Sequence, residues 1–361
     1  MNISKSRAIG AALAIGMAGA AWADEPGMTI YGLVDTGLVT TTHTGDGSQR
    51  TTGFADSILG VSNVGFKGVR DIGGGTQAFF NLQAGFNPTT GQQNNSGVLF
   101  SRNAYIGLQG PLGTVSVGKQ WDLNDDWLVG SVFLGGYNSG AIFKFSEFDA
   151  VSDLYNNTIK YVTPAFGGAQ AGALLSMKGK AGDNKAGRIL NVGGKYGDGP
   201  FYAGITWFHE DDQGGAEDGS SASYELTTAA AKYSLAQFAF RAGASFAKIS
   251  GPGDFQSIAS MSARKAQAYE VGVDYAFSDK IKGSADLLYR KNSTLENHTT
   301  GARLLGVYTL SSQAALRLNV AYLKNGGGAS ESLVNTDSGE IGGGYANQNQ
   351  TSVAIGARYA F

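Results

Sequence analysis

The chain has 361 residues, with 27 Lys and Arg against 29 Asp and Glu, and a formal net charge of −2 at pH 7. This balance argues against a nucleic-acid partner, and the absence of cysteine excludes disulfides and cysteine-based zinc sites. With 42% hydrophobic residues and only 6 prolines beside 55 glycines, the composition fits neither a disordered nor a collagen-like chain.

The first 23 residues have the pattern of a cleaved secretory signal peptide. Lys5 and Arg7 precede a run of small apolar residues, and Ala21-Trp22-Ala23 matches the A-x-A cleavage rule. We therefore predict one mature domain over residues 24–361. Beyond the signal, no apolar stretch approaches the length of about 18 residues that a transmembrane helix needs.

Most of the remaining chain alternates between apolar and polar residues with a period of two. At the end of the chain, for example, Val353, Ile355, Ala357, Tyr359 and Phe361 alternate with smaller or polar residues. Such alternation predicts strands with one apolar face. We predict 16 strands, at about 28–39, 57–70, 76–86, 100–110, 114–121, 155–163, 168–177, 187–196, 201–209, 221–233, 236–248, 265–277, 280–290, 300–310, 313–324 and 349–361.

The apolar faces carry aromatic residues near the strand ends, as in Tyr269 and Phe277. Short turns such as 110–113 alternate with long polar loops such as 325–347. A soluble β-sandwich also has one apolar face per strand, but ten-residue strands with aromatic ends are typical of outer-membrane barrels. The predicted fold class is therefore all-β, a 16-stranded antiparallel transmembrane β-barrel, whose closure pairs every backbone group.

Five segments of the chain resemble the general porins of Gram-negative bacteria, especially those of β-proteobacteria. They are MTIYGLVDTGL (28–38), SNVGFKGVRDIGGGTQAFFNLQAGF (62–86), SRNAYIGLQGPLGTVSVGKQ (101–120), NNTIKYVTPAFGG (156–168) and the terminal YAF (359–361). The resemblance is densest over residues 24–170 and at the C-terminus.

The resemblance implies a homotrimer in the outer membrane, in contact with lipid and lipopolysaccharide. It also implies that the third external loop, about 121–154, folds inward and narrows each pore. The terminal Phe361 and Tyr359 resemble the sorting signal that the outer-membrane assembly machinery reads.

In porins of this kind, acidic loop residues face a basic cluster on the barrel wall. The candidate acidic residues here are Glu147, Asp149 and Asp126. The candidate basic residues are Arg102, Lys119, Lys67 and Lys160, of which Lys67 and Lys160 are predicted from alternation to point into the lumen. The alternative for each is a solvated loop carboxylate or a lumen residue away from the narrowest point.

Two departures from the family pattern bear on selectivity. Asn63 and Leu154 stand where relatives commonly have arginine. Since rings of carboxylates favour cations and clusters of arginine and lysine favour anions, the loss of two arginines predicts weak or cation-leaning selectivity.

The leading functional interpretation is a general diffusion porin for ions and small hydrophilic solutes. A substrate-specific channel on the same barrel is the alternative, because the third loop is rich in aromatic residues. A barrel enzyme is less well supported, since the three histidines, His43, His209 and His298, have no serine partner nearby in sequence. An adhesin is less well supported because the third loop is expected to fold inward. The sequence therefore predicts no catalytic site, cofactor or metal centre. The acidic loop Glu210-Asp211-Asp212 is either solvated or bridges divalent cations to lipopolysaccharide.

Overall fold

The computed structural model describes residues 27–44, 47–58, 60–133, 154–177, 185–211, 222–251, 265–333 and 346–361. Seventeen strands and one five-residue π-helix, Asp125–Val129, lie within these ranges. Among the described residues, no helix has the length and apolar character needed to span a bilayer. The predicted signal peptide, residues 1–23, lies outside the described residues.

The strands follow one another along the chain in an antiparallel meander. In chain order they are β1 Gly27–Thr44, β2 Gln49–Asp56, β3 Asn63–Gly73, β4 Thr76–Gly85, β5 Ala104–Gly110, β6 Gly113–Trp121, β7 Leu154–Val162, β8 Ala169–Ser176, β9 Ile189–Asp198, β10 Phe201–Asp211, β11 Ser223–Leu235, β12 Phe238–Ser250, β13 Lys265–Ala276, β14 Ile281–Asn292, β15 Asn297–Thr309, β16 Ala314–Gly326 and β17 Asn349–Ala360.

The sheet closes on itself through β1. On one side β1 pairs with β17, from Leu33 opposite Ala360 to Thr41 opposite Ser352. On its other side it pairs with β3 along its first half and with β2 along its second half. Since β2 and β3 share one place in the ring, the barrel has 16 strand positions, and the predicted fold class is confirmed.

The predicted second strand, 57–70, is wrong in its first half. Residues 57–62 leave the ladder between β2 and β3, and Ser57 has a φ of 55° that interrupts the extended chain. The side chain of Ile58 is fully buried against Gly37 and Gly356, which face the barrel interior. Sequence alternation runs through this segment, but burial of Ile58 against two glycines outweighs strand pairing there.

The alternation of faces predicted for the terminal strand is confirmed. Ile355 is 62% exposed on the outer face, whereas its neighbour Ala354 is 1% exposed on the inner face. Phe361 and Gly32 exchange two backbone hydrogen bonds, of 2.9 and 3.1 Å, at the seam of the barrel. A Cβ on Gly32 would lie 2.5 Å from the Phe361 ring, so glycine leaves room for the terminal aromatic side chain.

Candidate functional site

The chain turns into the barrel immediately after β6. Residues 122–133, which we call the inward segment, contact the inner wall formed by β7 to β12. The Leu123 N–H donates to Asn191 Oδ1 at 2.7 Å, and the Tyr202 hydroxyl donates to the Trp127 carbonyl oxygen at 2.6 Å. The predicted inward fold of the third loop thus holds for its described part, while residues 134–153 lie outside the described residues.

Glycines on the wall make room for the apolar side chains of the inward segment. A Cβ on Gly172 would lie 2.9 Å from Trp127, and a Cβ on Gly204 would lie 2.7 Å from Leu128. Gly243 meets the ring of Phe133 more closely still. We call the four glycines on this surface the glycine seat: Gly172, Gly193, Gly204 and Gly243. Any larger inward-facing residue at these positions forces the segment off the wall.

Basic side chains of the wall bind carbonyl oxygens of the inward segment and its junction with β6. Lys160 Nζ donates to the Trp121 carbonyl oxygen at 3.0 Å and to Asp126 Oδ2 at 2.7 Å. Lys232 donates to the Ser131 carbonyl oxygen at 3.1 Å, and Arg241 donates to that of Val132 at 3.2 Å. Backbone carbonyls that a buried loop would otherwise leave unpaired are satisfied in this way.

Arg241 is also the centre of an ionic network on β12 to β15. Its guanidinium lies 2.8 Å from Glu270, 3.0 Å from Asp274 and 2.6 Å from Asp286. Arg303 Nη2 approaches the other oxygen of Asp286 at 2.7 Å. The side chains of Arg241, Glu270, Asp286 and Arg303 are at most 1% exposed. This arginine network holds the wall beneath Val132 and Phe133.

Two further segments fold inward that sequence alternation did not reveal. Ser62, in the interruption between β2 and β3, donates through its hydroxyl to the carbonyl oxygen of Asp35, whose carboxylate pairs with Arg317. After β16, Glu331 pairs with the inward-facing Arg290 at 2.9 Å, and the fully buried Leu333 donates its N–H to Gln350. The signal that was available is the presence of the inward-facing arginines Arg290 and Arg317 on β14 and β16.

Two of the predicted basic residues lie together on the wall of β3 to β5. Lys67 faces inward, with its ammonium 5.0 Å from the ring centroid of Tyr31. Arg102, just before β5, donates through Nε to Gln83 at 3.3 Å and lies 5.0 Å from the ring of Trp121. Arg102 thus reaches the start of the inward segment, because Lys160 binds the carbonyl oxygen of the same Trp121.

Lys119 is not brought to this basic group. Ser116 and Gln120 hydrogen-bond to each other on the inner face. Since successive strand side chains alternate between faces, Lys119 points outward. Lys119 instead donates to Asn156 Oδ1 at 3.2 Å. An irregularity in the pairing of β6 with β7, between Gly118 and Gln120, accompanies this placement.

Of the predicted acidic residues, Asp126 is described and pairs with Lys160, whereas Glu147 and Asp149 lie outside the described residues. At the positions where relatives have arginine, Asn63 donates to the Val61 carbonyl oxygen at 2.7 Å and accepts from Gln83 at 2.8 Å. Leu154 opens β7 opposite Trp121. Neither of these two residues adds charge to the wall.

Two of the three histidines lie on the outer face of the barrel, away from the lumen. His209 faces outward beside Asp211, at 3.2 Å, and His298 stacks on Tyr289. In the part of the chain that the structure describes, no group of three His, Cys, Asp or Glu residues could hold a metal ion.

Comparisons with known proteins agree with this architecture. A family model described as Gram-negative porin matches residues 10–328. An outer membrane porin of Bordetella pertussis is 33% identical over 184 residues, which span 46% of this chain and 47% of that protein, about half its length. Outer membrane porin protein 32 of Delftia acidovorans is 27% identical, over 97% of this chain and 98% of that protein.

Solved structures show the same fold. The anion-selective porin from Comamonas acidovorans superposes with a TM-score of 0.81 at 24% identity, covering 93% of this chain and 100% of that one. The trimer form of OmpT from Vibrio cholerae has a TM-score of 0.65 at 18% identity, covering 93% of this chain and 99% of that one.

Proposed function

Because the chain belongs to the Gram-negative porin family and is a channel of the outer membrane, we propose that it is a general diffusion porin narrowed by the inward segment. The observation that carries this proposal is that the barrel wall has an apolar outer face and a polar inner face. Apolar side chains face outward, and polar and charged side chains face a lumen into which residues 122–133 fold. Ions and small hydrophilic solutes pass such a lumen without any catalytic step.

A substrate-specific channel on the same barrel is not favoured by the described part of the third loop. Trp127 and Phe133 are 4% and 1% exposed, because they pack into the glycine seat. The Trp121 ring lies against Arg102. These three aromatic side chains serve to attach the loop to the wall and to support Arg102, and none of them forms an open apolar surface for a solute.

For selectivity, we propose a constriction between the basic sector of Lys67 and Arg102 and the acidic residues of the third loop, Glu147 and Asp149. Asp126 and Lys160 neutralise each other in the inward segment, and the carboxylates of the arginine network are paired with Arg241 and Arg303. Because these charges are compensated, we expect weak selectivity between cations and anions.

The double variant Lys67→Gln/Arg102→Gln tests this assignment. A unit charge about 6 Å from a hydrated ion contributes roughly 0.7 kcal/mol in water, so we expect the cation-to-anion permeability ratio to rise about threefold or more. The measurement is the zero-current potential of the refolded protein in planar bilayers across a KCl gradient.

Lys119→Gln is the control, because it removes one positive charge from the outward side of β6. Its reversal potential should equal that of the wild-type protein. If Lys119→Gln shifts the potential as far as the double variant does, the basic sector is wrongly assigned. If the folded wild-type barrel gives no stepwise conductance, the diffusion function itself is refuted.

The quaternary state we propose is a homotrimer, supported by the trimer form of OmpT among the structures of the same fold. The outer faces of β5 and β6 offer an apolar surface for contact between subunits, with Ile106, Leu108 and Val117 all exposed. Sedimentation of the folded protein in detergent should give three times the protomer mass. A monomer that retains full conductance would contradict the trimer. Lipopolysaccharide and the assembly machinery, which would read Tyr359 and Phe361, remain proposed partners.

A further inference from the structure

The seam between β1 and β17 has two glycines directly opposite each other on its inner face. Gly37 of β1 pairs in register with Gly356 of β17, whereas the next inward pair, Val39 with Ala354, consists of two buried side chains. Contacts between opposite side chains are the unit by which neighbouring strands stabilise each other. The two glycines therefore leave one place at which the first and the last strand make no side-chain contact of their own.

Ile58 fills this gap from the lumen side, although it belongs to neither strand. A Cβ on Gly356 would lie 2.9 Å from Ile58 Cδ1, and a Cβ on Gly37 would lie closer still. The Ile58 side chain is fully buried. One methyl group thus contacts the first and the last strand of the barrel at the same time, and we call this contact the seam latch.

Hydrogen bonds on both sides of Ile58 attach its segment to β1. The Ser57 N–H donates to the Asp35 carbonyl oxygen at 2.8 Å. The Ser62 hydroxyl donates to the same oxygen at 3.1 Å and accepts from the Asp35 N–H at 2.9 Å. All of these bonds lie within the first strands of the chain, so they hold Ile58 beside Gly37 without any contribution from β17.

A second contact crosses the seam on the inner face at the same glycine. Arg317 of β16 lies opposite Gly356 in register, and its guanidinium pairs with the Asp35 carboxylate of β1. Both charged side chains are at most 2% exposed. Since Gly356 has no side chain, the arginine can extend over β17 to reach the first strand. The glycine at 356 thus accommodates both an apolar and an ionic contact between the two ends of the sheet.

The seam is the place at which the barrel can open with the fewest constraints. Every other pair of neighbouring positions in the ring is joined by a connection of the chain, whereas β1 and β17 stand at opposite ends of the sequence. When the seam opens, both become edge strands with unpaired N–H and C=O groups. Side-chain contacts across the seam therefore bear directly on whether the barrel stays closed.

We propose that Ile58 acts as a latch that holds the β1–β17 seam shut, because its seat exists only when the two strands lie side by side. With the seam open, Gly37 supplies one half of the seat, and the Ile58 side chain loses its contact with Gly356. Closure restores that contact and buries the methyl group, so the latch stabilises the closed barrel and not the open sheet. This role is separate from the passage of solutes and does not depend on what the pore conducts.

The test compares two variants that each truncate a buried, inward-facing isoleucine. Ile58→Ala removes the seam latch. Ile189→Ala is the matched control, because Ile189 is 1% exposed on β9, between two strands that are its neighbours in sequence. Amide hydrogen exchange of the refolded protein in detergent is followed by mass spectrometry of peptides from β17 and from β9. We expect exchange in β17 to be about tenfold faster in Ile58→Ala and unchanged in Ile189→Ala, with the reverse in β9.

Ile58→Val gives a second reading that a barrel unable to fold would not prevent. It lacks only the Cδ1 methyl group that lies at the two glycines, so exchange in β17 should be about threefold faster. Wild-type exchange in β17 of both Ile58 variants would overturn the proposal. Equal acceleration in β9 and β17 would also overturn it, because Ile58 would then contribute to general stability alone. Acceleration in β17 as large in Ile189→Ala as in Ile58→Ala would show that the seam responds to any buried truncation and has no latch.

Discussion

Replacing Arg241 with methionine is expected to lower the free energy of unfolding of the barrel by about 3–5 kcal/mol, because it removes one partner of a buried ionic network. Glu270 and Asp286 would remain at most 1% exposed without the guanidinium that lies 2.8 and 2.6 Å from them. The Val132 carbonyl oxygen would lose its donor as well. The measurement is urea unfolding of the protein in lipid vesicles, followed by the change in mobility of the folded form in gels.

Lys232→Met is the control for this effect. Lys232 is an inward-facing cation on the adjacent strand and donates to a single carbonyl oxygen of the inward segment, that of Ser131. Its loss should cost about 1 kcal/mol. A loss in Arg241→Met no larger than in Lys232→Met would show that the network contributes nothing. Adding Glu270→Gln and Asp274→Asn to Arg241→Met should recover part of the stability, because fewer charges are then left unpaired.

Replacing Gly243 with valine is expected to reduce the single-channel conductance. The new side chain would occupy the space of the Phe133 ring, so the inward segment would shift away from the wall and toward the pore axis. Overpacking of this kind costs about 1–3 kcal/mol of stability. Conductance in planar bilayers and urea unfolding of the same preparation measure the two effects.

Gly194→Val is the matched control in the same part of the barrel. Gly194 follows the seat residue Gly193 and faces outward, and a Cβ there would have its nearest neighbour, the Gln170 carbonyl oxygen, at 3.7 Å. We expect wild-type conductance and stability. If Gly243→Val also conducts like the wild-type protein, the position of residues 122–133 does not set the width of the pore.

The barrel itself could be predicted from the residues. Strand positions such as 281–292 and 314–326 lie within a few residues of those expected. Successive side chains of a strand point to opposite faces, so a strand with one apolar face shows a period of two in the sequence. The outward exposure of Ile355, Tyr359 and Phe361 follows from the same pattern. The prediction failed at 57–62, where burial of Ile58 against Gly37 and Gly356 outweighs pairing.

The candidate site was predicted in part. Alternation placed Lys67 and Lys160 inside the barrel, as observed, but it could not show that Lys160 pairs with Asp126. Lys119 was placed with the wall cluster from its match to the family. Alternation along β6 itself directs Lys119 outward, because Ser116 and Gln120 of the same strand face inward.

By itself, then, the sequence determined the class of fold, the side of the wall on which most strand residues lie, and the family. The tertiary structure alone decided which inward groups meet, such as Arg241 with Asp286 and Phe133 with Gly243. The physical reason is that the direction of a side chain in a strand depends on its two neighbours in sequence. The partner of that side chain depends on the register of distant strands and on where a loop finds room to pack.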